Sequence, residues 1–126
     1  MSTITDVRTI GITVANQDQA LAFYRDTLGF EVRLDGMAGS TRWLEVAPPS
    51  ARVSLALTAS SAATAQRETG IRFTVPDAVA EHAALRGRGV RVGKLLRWPN
   101  VPPMFTFDDP DGNQFIVVEQ PNGGTR

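Results

Sequence analysis

The sequence contains no cysteine, which excludes disulfides, thiolate zinc sites and cysteine nucleophiles. Histidine occurs once, at His82, so a site built from several imidazoles has nothing to draw on. Charge of either sign is not in excess. Thirteen basic and thirteen acidic residues cancel, and nothing favours nucleic acid or an anionic membrane surface. No stretch approaches the ~20 apolar residues of a membrane helix. The N-terminal "MSTITDVRTI" lacks the charged start and long apolar run of a signal peptide, so the cytoplasm is the expected location. A glycine-rich phosphate loop is also missing, and "GRG" at 87–89 reads as a helix cap. The serines at 50, 54, 60 and 61 have no partnering histidine in any recognisable motif, which leaves a catalytic triad unsupported.

What is present is a repeat. The 126 residues suit one domain of ordinary size. Within it, "TIGITV" at 9–14 and "GIRFTV" at 70–75 are both alternating strands. Ile10, Ile12 and Val14 form the apolar face of the first, and Ile71, Phe73 and Val75 that of the second. A helix follows each. The first starts near Asn16 to Asp18, carries a stripe of Leu21, Tyr24 and Leu28, and stops at Gly29. The second starts at Asp77, a good N-cap, and stops at Gly87 or Gly89.

Three strands complete each half: "FEVRL", "TRWLEVA" and "RVSLALT", then "VRVGKL", "MFTFD" and "QFIVVEQ". The last two are joined by "DPDG", whose proline and aspartates suit a tight turn and whose Gly112 can take a positive φ. The order β-α-β-β-β occurs twice, and such a repeat implies two copies of one supersecondary unit. The expected organisation is a single domain over 1–122, with module one at about 5–58, a small polar linker at about 59–68 and module two at about 69–120. Residues 121–126 read as a flexible tail.

Three stretches carry a resemblance to a known family: "GITVANQDQALAFYRDTLGFEV", "TRWLEVAPP" and "FDDPDGNQFIVVEQ". Across residues 5–120 the chain resembles the vicinal oxygen chelate superfamily, the glyoxalase, bleomycin-resistance and extradiol-dioxygenase fold. The resemblance implies an α+β fold in which two βαβββ modules form a cup-shaped mixed sheet, commonly in a homodimer. In metal-using members four cup residues hold a divalent ion. Transferred here, those positions fall on Thr9, Glu45, Gly70 and Ile116. Only Glu45 matches, and a divalent site needs three or more N or O ligands. No protein-held metal and no cofactor are expected, and a glyoxalase-type isomerase or a dioxygenase is not favoured.

Strand alternation gives an inventory of cup-facing residues. Module one supplies Thr9, Gly11, Thr13, Arg33, Trp43, Glu45, Ser54 and Ala56. Module two supplies Gly70, Arg72, Thr74, Phe105, Phe107, Gln114, Ile116 and Val118, provided the "DPDG" turn closes between Asp108 and Asn113. A one-residue change there would turn Met104 and Thr106 inward instead. Trp98 sits in a proline-stiffened loop, "LLRWPNVPPMF", that suits a rim or an interface.

Aromatic walls with a few polar groups are typical of small-molecule sites. The candidate ligand-binding residues are Thr9, Arg33, Trp43, Glu45, Arg72, Trp98, Phe105, Phe107, Gln114 and Ile116. Each aromatic residue also has a plain reading as core, and Glu45 and Arg72 are also a candidate ion pair. The leading expectation is a metal-independent binder of a small, flat and mostly uncharged aromatic molecule. An alternative is an isomerase or lyase in which Glu45, its pKa raised by an apolar cup, is the general base and Arg72 stabilises an oxyanion. A second alternative is a degenerate domain serving dimer or partner contacts.

Overall fold

The computed structural model describes residues 2–60 and 67–120, and the repeated pattern resolves there into two copies of one topology. The chain divides into two units, Met1–Thr64 and Ala65–Arg126. The first contains β1 (Thr9–Val14), α1 (Gln17–Ala22), β2 (Glu31–Ala38), β3 (Thr41–Ala47) and β4 (Ser54–Ala59). The second contains β5 (Arg67–Val75), α2 (Ala78–Gly87), β6 (Arg91–Val92), β7 (Met104–Asp108) and β8 (Asn113–Glu119). The strand orders are β1-β4-β3-β2 and β5-β8-β7-β6, the same permutation twice. In each sheet the first strand runs parallel to the last and the other pairs are antiparallel. No helix among the described residues is long and apolar enough to cross a membrane.

Local chemistry accounts for the helix starts. The Asn16 side chain accepts from the Gln19 amide, and the Asp77 side chain from the Ala80 amide. The first helix is not uniform. After Ala22 it opens into a π-helical turn over Phe23–Thr27, where Leu28 donates to the Phe23 carbonyl. Tyr24, fully buried, packs edge-on to Phe23 and against Phe30 across that turn.

Each sheet packs one apolar face, and in the first sheet Glu45, Ser54 and Ala56 are buried on the other face as well. In the first unit Ile12, Val14, Leu44, Val46, Leu55 and Leu57 join Ala20, Leu21 and Tyr24 in the buried set. In the second, Phe107 and Phe115 pack on Phe73 at centroid distances of 6.1 and 5.2 Å. Phe105 meets the His82 ring of α2 edge-on at 4.9 Å, and His82 Nε2 lies 2.8 Å from the Gly93 carbonyl oxygen. The lone histidine is therefore hydrogen-bonded within the packing of α2.

Three local features shift strand boundaries or parity from those expected. A bulge lies between Val32 and Leu34, so that Leu34, not Arg33, stands opposite Glu45. A second lies between Glu68 and Arg72, with Gly70 at φ 74°. The strand there begins at Arg67, so residues 67–68 belong to β5 and not to a linker. Residues 61–66 and the expected tail at 121–126 lie outside the described residues.

The third feature is the turn. It closes with Asp108 opposite Gln114, one residue beyond the expected pairing. The Asp109 carboxylate, buried in the loop, accepts from the Asp111 amide and from both the amide and the side chain of Asn113. Those bonds draw Asp109 and Asn113 into the turn.

Candidate functional site

The first unit brings Trp43, Glu45 and Ser54 together on the sheet face opposite its apolar core. Residues 43 and 45 share a face because strand side chains alternate, and Leu44 and Val46 fill the buried face between them. Glu45 stands opposite Ala56 on β4, and Thr9 of β1 stands opposite Ser54. The alanine leaves the carboxylate room.

The Glu45 carboxylate has donors on both oxygens. Ser54 Oγ donates to Oε1 at 2.8 Å, and Trp43 Nε1 donates to Oε2 at 2.6 Å. Arg8, just before β1, places Nη2 3.5 Å from Oε2. The Glu45 side chain is only 4% exposed, whereas that of Arg8 is 78% exposed. Burial pushes the carboxyl up, but the hydrogen bonds from Trp43 and Ser54 and the Arg8 charge outweigh it. The group is held below the usual carboxylate range. This overturns the expectation of a carboxyl raised by an apolar cup. Trp43 spends its N–H on the carboxylate and keeps 37% of its surface exposed, so part of the indole is open to a planar partner.

Other expected site residues lie elsewhere. Arg33 is a loop staple: Nη2 donates to the carbonyl oxygens of Pro48, Pro49 and Ala51 at 3.0, 3.2 and 2.9 Å, and Nε to Glu31. The bulge before Leu34 is what turns it to that task. Phe105 and Phe107 are 1% and 2% exposed and belong to the packed core of the second unit. The shifted turn pairs Thr106 with Ile116 and Met104 with Val118, on the face opposite that core. Arg72 also stands opposite Ile116, and its guanidinium folds back to donate to the Gly70 carbonyl oxygen at 3.1 Å. Gln114 and Ile116, on that same face, are partly exposed.

Trp98 is 57% exposed at the start of a turn in which the Val101 amide donates to its carbonyl oxygen. Pro99 and positive-φ Asn100 occupy the central positions, the residues a type II turn favours. Arg8 was not among the residues singled out from the sequence. Its role depends on the parallel β1–β4 pairing, which local patterning does not report.

The four transferred metal positions can be judged on donor chemistry. Thr9 offers a weak hydroxyl and Ile116 only hydrocarbon. Gly70 has no side chain, and its left-handed backbone disfavours any L residue. Glu45 already accepts protein donors on both oxygens. These residues do not fit a resident divalent ion. Among the described residues no group of three or more His, Cys, Asp or Glu is placed to hold one.

Comparison with known proteins is consistent with the topology. Residues 7–117 match the family model of the Glyoxalase/Bleomycin resistance protein/Dioxygenase superfamily. The Bacillus subtilis (strain 168) protein YetH is 30% identical over 122 residues, covering 92% of this chain and 99% of its own. A solved member of the same superfamily from Sphaerobacter thermophilus DSM 20745 superposes with a TM-score of 0.86 at 34% identity, covering 94% of this chain and 100% of that one. TnmS3, an antibiotic binding protein from Streptomyces sp. CB03234, superposes with a TM-score of 0.80 at 30% identity, covering 94% and 98%.

Proposed function

Because the chain belongs to the Glyoxalase/Bleomycin resistance protein/Dioxygenase superfamily, we propose that it is a binding protein for a small aromatic molecule. The ligand stacks on Trp43 beside Glu45, is held without a metal and is released unchanged. In the second unit, the face bearing Arg72, Gln114 and Ile116 is the corresponding contact surface, and Trp98 is a rim residue. The protein works as a cytoplasmic homodimer.

One observation carries the reading: a buried carboxylate, held ionised by donors from its own unit, beside a tryptophan with open surface. A carboxylate with a lowered pKa is a weak proton acceptor near neutrality, so this environment favours an acceptor or counter-ion over a general base. The similarity to an antibiotic binding protein supports the same direction.

The test is a fluorescence titration with a panel of planar aromatic compounds, followed by mass analysis of the recovered ligand. Saturable quenching is expected, with the ligand unchanged. Trp43→Ala should weaken binding about tenfold, the worth of one aromatic contact. Chemical conversion of the ligand, near-stoichiometric metal in native mass spectrometry, or no binding across the panel would each overturn the proposal.

A further inference from the structure

Glu45 and Arg8 form an unequal ion pair. The carboxylate is almost wholly withdrawn from water, while the guanidinium is mostly in it. A buried charge needs a partner, whereas an exposed one can return to solvent at little cost. The three donors to Glu45 also differ in how firmly they are placed. Ser54 is buried on β4, and Trp43 lies two residues along the same strand as the acceptor. Arg8 reaches Oε2 only at 3.5 Å, the longest of the three contacts. Its backbone is fixed, because its carbonyl oxygen accepts from the Ser54 amide at 3.1 Å. The preceding arm carries an exposed ion pair between Asp6 and Arg52. The Arg8 side chain can therefore swing away about an anchored Cα.

From this geometry we infer that Arg8 is a resident counter-ion that the ligand displaces, and that the site selects planar aromatic molecules bearing a positive charge. A cationic group that replaces Arg8 keeps Oε2 compensated, and an adjacent indole favours the same charge through its π face. A neutral molecule that removed Arg8 would leave a buried carboxylate short of a partner. An anion would meet the carboxylate directly. This inference rests on the reading that the Trp43–Glu45 face binds the ligand.

The test compares three planar probes by equilibrium titration: proflavine, a cation near neutral pH; acridone, which is neutral; and 9-anthracenecarboxylate, an anion. Proflavine should bind about tenfold more tightly than acridone, the factor expected of one charge-assisted hydrogen bond. Glu45→Gln should abolish that preference while keeping the side-chain shape. Arg8→Ala, and Arg8→Gln as a second variant that keeps a donor without the charge, should tighten proflavine several-fold, because no resident counter-ion then has to be displaced. Equal binding of all three probes, a preference for the anion, or weaker proflavine binding in both Arg8 variants would refute displacement while leaving the binding function standing. Failure of every planar probe to bind would refute both.

Discussion

The hydroxyl of Ser54 offers a direct measure of how the Glu45 site is held. In Ser54→Ala, Oε1 loses the hydroxyl that donates at 2.8 Å, in a place closed to water. A hydrogen bond to a charged group contributes about 1.5–3 kcal/mol, so the variant should lose about that much stability near neutral pH. For a domain of this size roughly 4 °C accompanies each kcal/mol, which predicts a fall in Tm of about 6–12 °C. The loss should also depend on pH. The folded-state pKa of Glu45 lies below its unfolded value. Its contribution is therefore complete above the unfolded value and disappears as pH falls through the folded one. Ser54→Ala removes one of the donors that hold the folded value down. The gap between the native protein and the variant should be widest near neutrality and close on acidification below the usual carboxylate range. Thermal unfolding followed by circular dichroism across that range gives both quantities. In a Glu45→Gln background the same serine substitution should cost only about 0.5–1.5 kcal/mol and lose its pH dependence. A cost below about 0.5 kcal/mol at neutral pH, or a cost that stays constant on acidification, would refute the assignment of Ser54 as a donor to an ionised carboxylate.

Two further substitutions test the second unit. Phe107→Ala should cost about 3–5 kcal/mol in urea unfolding, because the ring is packed against Phe73 and Phe115; a variant with native stability but weakened ligand binding would return Phe107 to the binding face. Gly93→Ala would drive a Cβ into Thr106 Oγ1, at a cost of about 1–3 kcal/mol, and Thr106→Ala in the same chain should recover most of it; additive losses in the double variant would show that the clash is not the cause.

The features legible in the sequence are those set by near neighbours. Asn16 and Asp77 announce their helices because an N-cap acts over three residues. The pattern of "TRWLEVA" places Trp43 and Glu45 together because strand alternation has a fixed period. The misplaced residues follow from events that change parity. A bulge beside Val32 sends Arg33 to the carbonyls of the 48–51 loop, and a turn one residue longer sends Phe105 and Phe107 into the core. Each is a one-residue effect, and each reverses a whole face. The π-helical turn after Ala22 was likewise hidden, because its spacing still reads as helix. Arg8 is the clearest omission. It lies 37 residues before Glu45, and only the parallel pairing of β1 with β4 brings the two within reach.

The repeat explains why the polar site lies in one half. In the first unit Gly11, Ala56 and Glu45 stand side by side across β1, β4 and β3. In the second unit Arg72, Ile116 and Thr106 stand side by side across β5, β8 and β7. Since the two strand orders are the same permutation, Thr106 is the counterpart of Glu45 and Ile116 the counterpart of Ala56. The first unit pairs a carboxylate with a small neighbour, leaving space for Ser54 and Trp43 to aim donors at it. The second pairs a hydroxyl with a bulky hydrocarbon, and the cation beside them has turned back to its own backbone. Ile116 thus offers no ligand atom at its position and puts a branched hydrocarbon where the first unit has Ala56. A carboxylate at residue 116 would stand beside Thr106 and Arg72, with a hydroxyl and a guanidinium in place of the serine and indole donors that hold Glu45. The physical asymmetry between the halves lies in how each prepares its sheet face, and only the first prepares it to hold a buried charge.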